Sequence, residues 1–280
     1  MKKKTKILLL VLLILLCLIL PGFYNALRVV TYRLAVEGVT GPVRLVLVTD
    51  LHACTYGENQ RELVDAINAQ APDLVLLGGD IFDDDIPMDN TVAILRQIGE
   101  KYPCYYVTGN HEYWSGEENF ARMMAILAEC RVTRLSGEMV TLEFGGERIN
   151  LCGVDDPFAW ADRDGCFREQ LAHIASLRRD GAYTILLTHR PELVELYCEY
   201  GFDLVLAGHA HGGQWRIPGI LNGLYAPNQG LFPAYAGGRY DLGDTVMIVS
   251  RGLARESTRV PRFYNRPELV VVELGSKGGE

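Results

Sequence analysis

The sequence predicts an α/β domain with mixed sheets, preceded by one apolar N-terminal segment. Short runs rich in Val, Leu and Ile end abruptly in polar residues, and a stretch with helical spacing usually follows each run. Two further apolar runs flank the pair Gly145-Gly146, a pattern typical of a β-hairpin. Strands that alternate with helices, together with a hairpin, indicate an α/β domain with mixed sheets.

The first residues predict a membrane segment. Four of the first six residues are lysines, and an unbroken apolar run follows from Ile7 to Leu20. At about 1.5 Å per residue the run spans roughly 21 Å, less than the roughly 30 Å of a hydrocarbon core. Snorkelling lysines and the following Phe23 and Tyr24 would extend it. A cleaved signal peptide is the alternative, but no convincing small-x-small cleavage site follows the run.

We therefore expect residues 1–22 to be an uncleaved signal anchor, a single transmembrane segment in the cell membrane. The positive-inside rule keeps the lysines in the cytoplasm and places the main domain on the extracytoplasmic side. Residues 23–42 are expected to be a connecting segment. One domain is expected over residues 43–275, because no linker divides that part of the chain.

Charge and cysteine usage narrow the possible partners. The net charge is −8, and without the four N-terminal lysines 23 of the 27 basic residues face 35 acidic ones, a balance of −12. Non-specific nucleic-acid binding depends on phosphate neutralisation by Lys and Arg, so we expect no nucleic-acid partner. The seven cysteines include no Cys-x-x-Cys pair, which favours small buried apolar residues over a zinc or redox motif.

The elements follow one another in a regular order. Buried strands are predicted at 43–49, 74–77, 105–108, 183–188 and 204–207, each bounded by Gly or polar residues. Helices are predicted at 61–69, 92–100, 117–129 and 162–179. The hairpin pairs 140–144 with 148–154, and late strands are predicted at 245–250 and 269–274.

Polar side chains follow each of the five main strands. In chain order the strands end in Asp50-Leu51-His52, Gly78-Gly79-Asp80, Gly109-Asn110-His111-Glu112, His189 and Gly208-His209-Ala210-His211. Ligands of open α/β sheets bind at the carboxyl ends of the strands. Five of the six histidines lie at these ends, and only His173 falls within a predicted helix. The strand ends are therefore the predicted site.

The combination of these residues predicts a metal site, although each group alone is weak support. A lone Asp-x-His or Gly-Asp is usually a turn. Clustered carboxylates and imidazoles without a cation would be desolvated, and the carboxylates would repel each other. Two divalent ions remove both problems, and mixed N/O ligands suit Mn, Fe, Zn or Co. Two ions about 3.5–4 Å apart need a shared ligand, and a carboxylate such as Asp80 can provide it.

In order and approximate spacing, these five motifs resemble those of the calcineurin-like metallophosphoesterases, over about residues 43–275. Gly208–Gln214, Val249–Gly252 and Arg266–Glu268 resemble a bacterial membrane-associated branch of that family. The resemblance implies a four-layer α/β/β/α sandwich with two mixed sheets. It also implies a metal-dependent hydrolase of phosphoester bonds, a phosphodiesterase or phosphatase.

The resemblance further implies a dinuclear metal centre. One ion would be held by Asp50, His52, Asp80 and His211, and the second by Asp80, Asn110, His189 and His209. A hydroxide between the ions would be the nucleophile, because metal binding lowers the pKa of water. His111 would act as general acid or transition-state stabiliser, oriented by Asp83. Glu112 is expected to support the loop.

Two alternatives stay open. The same two metals could hydrolyse a non-phosphate bond, although Asn110 as a ligand favours phosphoester chemistry through the resemblance. The chain could also be an inactive metal-binding scaffold, although such descendants usually lose ligands and every expected one is present here. Oligomeric state, native metal and the preference for monoesters or diesters are not predicted.

Two regions bear on substrate choice. Arg190 could reach a substrate phosphate, but an exposed ion pair is the expected role. The segment 220–240 is rich in Gly, Pro and aromatic residues and follows His211, so it is expected to rim the pocket. Together with the anchor, it suggests a substrate at or near the membrane, such as a lipid-linked phosphate or pyrophosphate.

Overall fold

A computed structural model describes residues 3–36, 41–160, 163–178, 181–255 and 260–275. Within these residues two six-stranded sheets face each other, and helices cover their outer faces. The strands are β1 (Arg28–Ala35), β2 (Val43–Val48), β3 (Leu74–Gly78), β4 (Cys104–Val107), β5 (Val132–Arg134), β6 (Glu138–Phe144), β7 (Glu147–Gly153), β8 (Tyr183–Leu187), β9 (Leu204–Ala207), β10 (Tyr225–Ala226), β11 (Gly230–Leu231), β12 (Gly238–Leu242), β13 (Thr245–Val249) and β14 (Glu268–Gly275). The helices are α1 (Lys3–Ile19), α2 (Arg61–Gln70), α3 (Asp89–Gly99), α4 (Asn110–Trp114), α5 (Glu117–Glu129), α6 (Arg163–Leu177) and α7 (Val194–Glu199). The expected α/β/β/α sandwich is confirmed.

Both sheets are mixed. The first has the order β1-β14-β2-β3-β4-β5, and only the β14–β2 pair is antiparallel. The second has the order β12-β13-β9-β8-β7-β6, with antiparallel pairs at its two edges. Strands β2, β3 and β4 are parallel neighbours, as are β8 and β9, so the carboxyl ends within each set share one edge of their sheet.

The core is layered because successive side chains of a strand point to opposite faces. In β2, Leu45 and Leu47 pack between the sheets against residues of β8 and β9 such as Leu187. Val46 and Val48 face the opposite way, under α2, α3 and α5. The outer face of the second sheet is covered by α6 and α7. Burial on both faces explains why these strands read as continuous apolar runs.

The predicted elements agree closely with the structure. All five main strands and the hairpin are confirmed, and each main strand begins and ends within one residue of its predicted bounds. The helices are confirmed as well, and His173 lies in α6 as expected. The last two predicted strands are β13 and β14. The end residues 162 and 179 of the predicted fourth helix lie outside the described residues.

Several elements were not predicted. Strand β1 lies within residues 23–42, the expected connecting segment, and pairs in parallel with β14 at the edge of the first sheet. Most of its side chains are half-buried or exposed, and they include Arg28 and Arg33. The strand therefore lacks the continuous apolar run by which the other strands were predicted. Residues 110 and 111 begin the short helix α4, which was not predicted from the sequence.

The N-terminal helix lengthens the apolar segment expected from the sequence. Helix α1 continues through a 3₁₀ turn, Leu20–Phe23, so that one helical stretch covers Lys3–Phe23. Its 21 residues, which include Lys3, Lys4 and Lys6 at the start, span about 31 Å at 1.5 Å per residue, the thickness of a hydrocarbon core. The helix is therefore long and apolar enough to be a membrane span or signal anchor.

Candidate metal centre

The expected site residues meet where the carboxyl edges of the two sheets adjoin. Asp50 and His52 follow β2, Asp80 follows β3, and His209 and His211 follow β9. All five have positive φ, between 47° and 64°. Left-handed backbone is uncommon for residues other than Gly, and it concentrates at functional sites where the surrounding structure enforces it. The loops are thus bent sharply so that these side chains point at one another.

One cluster contains Asp50, His52, Asp80 and His211, whose ligand atoms all lie within 4.8 Å of one another. His52 Nε2 is 3.7 Å from Asp80 Oδ2, and His211 Nε2 is 3.6 Å from Asp50 Oδ1. All four residues are buried, the most accessible side chain being that of His211 at 12%.

A second cluster contains Asp80, His189 and His209, again within 4.8 Å. His189 Nε2 is 3.1 Å from Asp80 Oδ2 and 3.1 Å from His209 Nδ1. Asn110 lies beside this cluster, because the N–H of the next residue, His111, donates to Asp80 Oδ1 at 2.9 Å. Asp80 therefore belongs to both clusters.

The atoms that face the clusters lack hydrogen bonds. Among the described residues, four buried atoms of these side chains have no partner within hydrogen-bond distance: Asp50 Oδ2, His52 Nε2, Asn110 Oδ1 and His211 Nδ1. Buried polar atoms are nearly always paired, and an unpaired one costs about 1–3 kcal/mol. Carboxylate, amide and imidazole donors together fit divalent first-row metals. The residues present therefore fit a metal centre.

Protonation states follow from burial and from the carboxylates. Burial, reinforced by Arg190, holds the pKa of His209 well below its usual value, and burial likewise holds the pKa of His211 well below it. Burial would also lower the pKa of His189, but the Asp80 carboxylate raises it to about 10. Two of the imidazoles are thus neutral at pH 7, the form that binds metal.

Glu112 supports the loops around the site. Its buried carboxylate accepts hydrogen bonds from the N–H groups of Gly109, Asp80, Ile81 and Phe82 at 2.8–3.2 Å. Two strand ends, those of β3 and β4, are thereby tied to one side chain. The geometry of Asp80 depends on this carboxylate.

The surroundings of His111 differ from the expectation. Its Nδ1 lies 2.5 Å from Asp84 Oδ1 and 3.7 Å from Asp83 Oδ2. Asp83 instead pairs with His52, with Oδ2 at 2.8 Å from Nδ1. Asp84 is therefore the nearer carboxylate to His111, and Asp83, the expected orienting residue, also lies within ion-pair distance of that ring. Asp83 is the orienting partner of His52.

Arg190 also differs from the expected exposed ion pair. It is 3% exposed, and its guanidinium forms a two-point contact with the carboxylate of Asp156. Its Nη1 lies 2.7 Å from Asn228 Oδ1, and the same oxygen lies 2.8 Å from His209 Nε2. Arg190 Nη1 also lies 2.8 Å from His209 Nε2. Arg190 and Asn228 therefore position the ring of His209.

Sequence reasoning missed Asp84, Asp156 and Asn228 as parts of this site. Asp156 follows β7, so the same strand-end pattern that revealed the other residues could have revealed it. Asn228 lies in the segment 220–240, which supports the expectation that this segment rims the site, but no local motif identifies it. Arg190 was noted, but its burial depends on Asp156 and Asn228, which are distant in sequence.

Comparisons with known proteins agree with this geometry. The sequence profile of the calcineurin-like phosphoesterases matches residues 43–213. An uncharacterized metallophosphoesterase of Campylobacter jejuni is 31% identical over 93% of this chain and 67% of its own length. Phosphodiesterase YaeI of Escherichia coli is 28% identical over 91% of this chain and 89% of its own length.

Coverage and fold add two further facts. The chain spans 55–67% of the length of the relatives it matches in Campylobacter jejuni and Helicobacter pylori. The crystal structure of a phosphopantetheinyl hydrolase from Mycobacterium tuberculosis superposes with a TM-score of 0.50 at 13% identity. That superposition covers 75% of this chain and 89% of the other, and it shows a shared fold.

The substitution Glu112→Gln tests the support of the strand ends. It turns an NH₂ group toward buried N–H donors, so we expect the free energy of unfolding to fall by about 2–4 kcal/mol. Chemical denaturation of the detergent-solubilised chain measures this change. The matched control, Glu129→Gln at an exposed position on α5, should stay within about 0.5 kcal/mol of the parent chain. Equal effects at the two positions would contradict the role of Glu112.

Proposed function

The chain belongs to the calcineurin-like phosphoesterase family, and from this premise we propose that it hydrolyses phosphoester bonds with two divalent metal ions. The observation that carries the proposal is the set of buried, unpaired oxygen and nitrogen atoms in and beside the two clusters, which share Asp80. Burying unpaired polar atoms costs free energy when no cation is bound. Oxygen and nitrogen atoms of these kinds are also the ligands that divalent first-row metals prefer. Mn, Fe, Zn and Co all fit a mixed N/O donor set.

The two clusters assign the ligands. We assign one ion to Asp50, His52, Asp80 and His211. The second is assigned to Asp80, Asn110, His189 and His209, so that Asp80 bridges both. When bound, the ions supply Lewis acidity toward the phosphoryl oxygens and lower the pKa of water, so that a nucleophile is available at neutral pH.

His111 is the proposed proton donor to the leaving group. Its ring is 23% exposed, unlike the more deeply buried imidazoles, and therefore faces the side from which substrate arrives. Asp84 Oδ1 lies 2.5 Å from Nδ1, which keeps the proton on that nitrogen and directs Nε2 away from the Asp84 carboxylate. An imidazolium held in this way can protonate a departing alkoxide.

The position of the substrate is proposed from the anchor. We place α1 in the cell membrane and the catalytic domain on the extracytoplasmic side, because the N-terminal lysines precede the apolar helix. A substrate at the membrane, such as a lipid-linked phosphate or pyrophosphate, then meets the site. Protease treatment of intact spheroplasts would digest the domain if this orientation is right, and would leave it intact if the domain lies inside.

Removal of the bridge tests the metal assignment. The substitution Asp80→Ala should lower the metal content from two ions per chain to one or fewer, because each ion loses a ligand. Elemental analysis of the purified chain measures this directly. The exposed Asp85→Ala variant is the control and should keep both ions. Two tightly held ions in Asp80→Ala would contradict the bridge.

Substrates with different leaving groups test His111. The substitution His111→Gln should keep both ions and reduce turnover of an alkyl phosphoester by about 100-fold or more, the usual contribution of a general acid. Turnover of a p-nitrophenyl phosphoester should fall far less, because its leaving group needs no proton. Similar losses on both substrates would remove the proposed role.

A vesicle assay tests the substrate class. The full chain, reconstituted in vesicles, should have a higher kcat/KM for a phosphoester carried on a lipid than for the same head group in water. Proximity to the bilayer raises the local concentration of the lipid substrate only. Equal kcat/KM values for the two substrates would contradict a membrane-located substrate.

A further inference from the structure

A group of exposed apolar side chains lies on the loops that follow the candidate metal centre. We call it the apolar platform and define it as Trp215, Ile217, Ile220, Leu231 and Phe232. Their exposed fractions run from 41% for Trp215 to 83% for Ile220. Single exposed apolar side chains are ordinary, but a group of large ones indicates a contact surface. The question is therefore what covers the platform.

The platform is continuous through backbone contacts. The N–H of Leu224 donates to the carbonyl oxygen of Trp215 at 2.9 Å, and the N–H of Phe232 donates to the carbonyl oxygen of Leu224 at 2.8 Å. Ile217 forms a β-bridge with Leu221. Three passes of the chain are thus joined side by side, so the platform residues lie on adjoining backbone segments.

Charge is nearly missing from this part of the sequence: Arg216, between Trp215 and Ile217, is half-buried and donates to Asn222, and no charged residue follows until Arg239. Residues 217–238 contain no Asp, Glu, Lys or Arg, whereas 22% of the whole chain is charged. A loop facing bulk water ordinarily carries charged residues, whereas one that enters a bilayer surface excludes them. Aromatic residues such as Trp215 favour the interface between water and lipid.

The platform joins the end of the apolar N-terminal helix. The ring of Phe263 lies 5.1 Å from the ring of Phe23 and 5.6 Å from that of Trp215, between centroids. The next residue, Tyr264, donates from its hydroxyl to Leu18 O at 2.5 Å and from its N–H to Gly22 O at 2.6 Å. The helix end and the platform are thus held on one scaffold.

We propose that the apolar platform inserts into the interfacial layer of the lipid bilayer that holds α1. The inference rests on the membrane position proposed above for α1, but not on the chemistry of the metal centre. A bilayer is the occupant that the geometry favours, because a helix that crosses a membrane brings the adjoining platform to the surface of the same membrane.

Insertion would fix the entrance of the metal centre at the level of the lipid head groups. Asn265 follows Tyr264 and donates from Nδ2 to the carbonyl oxygen of His211 at 2.7 Å. Trp215 lies only four residues after His211. The segment 263–265 therefore connects the helix end, the platform and a candidate metal ligand without an intervening hinge. The head group of a lipid would meet the site without leaving the membrane.

Tryptophan fluorescence of the full chain in vesicles tests insertion. The chain is reconstituted in phosphatidylethanolamine and phosphatidylglycerol, with or without bromine on the acyl chains, since bromine quenches nearby indoles. The contribution of Trp215 is the difference between the parent chain and Trp215→Phe. We expect brominated lipid to quench this contribution. Equal emission from Trp215 in the two kinds of vesicle would overturn the proposal.

A charged double variant separates insertion from mere proximity. Ile220→Glu combined with Phe232→Glu should abolish the quenching of Trp215, because carboxylates are costly in the bilayer. The matched control, Ala121→Glu with Ala125→Glu on exposed positions of α5, adds the same charge and should leave the quenching unchanged. Unchanged quenching in the platform variant would contradict insertion, provided that circular dichroism shows a folded chain.

Sedimentation in detergent reports whether a second copy of the chain covers the platform instead of lipid. The proposal would be overturned by two results together. The parent chain and the α5 control variant would form a dimer that the platform variant does not form, and brominated lipid would not quench Trp215 in the parent chain. Metal content and p-nitrophenyl ester hydrolysis of the parent chain are measured on the same samples. Quenching of Trp215 in a chain that holds no metal and hydrolyses no ester would support insertion of the platform and would contradict only the proposed function.

Discussion

Two buried carboxylates, Asp50 and Asp80, lie among imidazoles at the meeting edge of two sheets, and the surrounding structure constrains them there. Their loops adopt left-handed backbone, and Glu112 accepts hydrogen bonds from N–H groups of the Asp80 loop, which restrains that loop. Such an arrangement is unfavourable for a protein alone, since it leaves ligand atoms dry and unpaired. Bound cations would make it favourable, so the strained loops and the proposed metal centre would have one cause.

Much of this could be predicted from the sequence. Strands buried on both faces appear as continuous apolar runs, and their ends are marked by an abrupt change to Asp, His and Asn, so β2, β3, β4, β8 and β9 and their polar ends were all found. The edge strand β1 was missed because half of it faces water. The resemblance implied Asp83 as the partner of His111, and the structure adds Asp84, which lies nearer to that ring. Burial of Arg190 was not predictable, since its partners are distant in sequence.

The arrangement also connects chemistry with location. Strand β14 pairs with both β1 and β2, so the segment after the helix enters the same sheet that carries Asp50. Residues just before β14 contact the helix end on one side and the backbone of His211 on the other. If α1 spans a membrane as proposed, a rigid connection of this kind would hold the site at a fixed height above it, which a flexible linker would not.

Anomalous X-ray diffraction from crystals grown with Mn²⁺ tests the central claim most directly, because it locates the ions without reference to activity. The account predicts two anomalous peaks about 3.5–4 Å apart, both within bonding distance of Asp80, with Asn110 at one and His52 at the other. A single peak, or peaks that do not share Asp80, would contradict it.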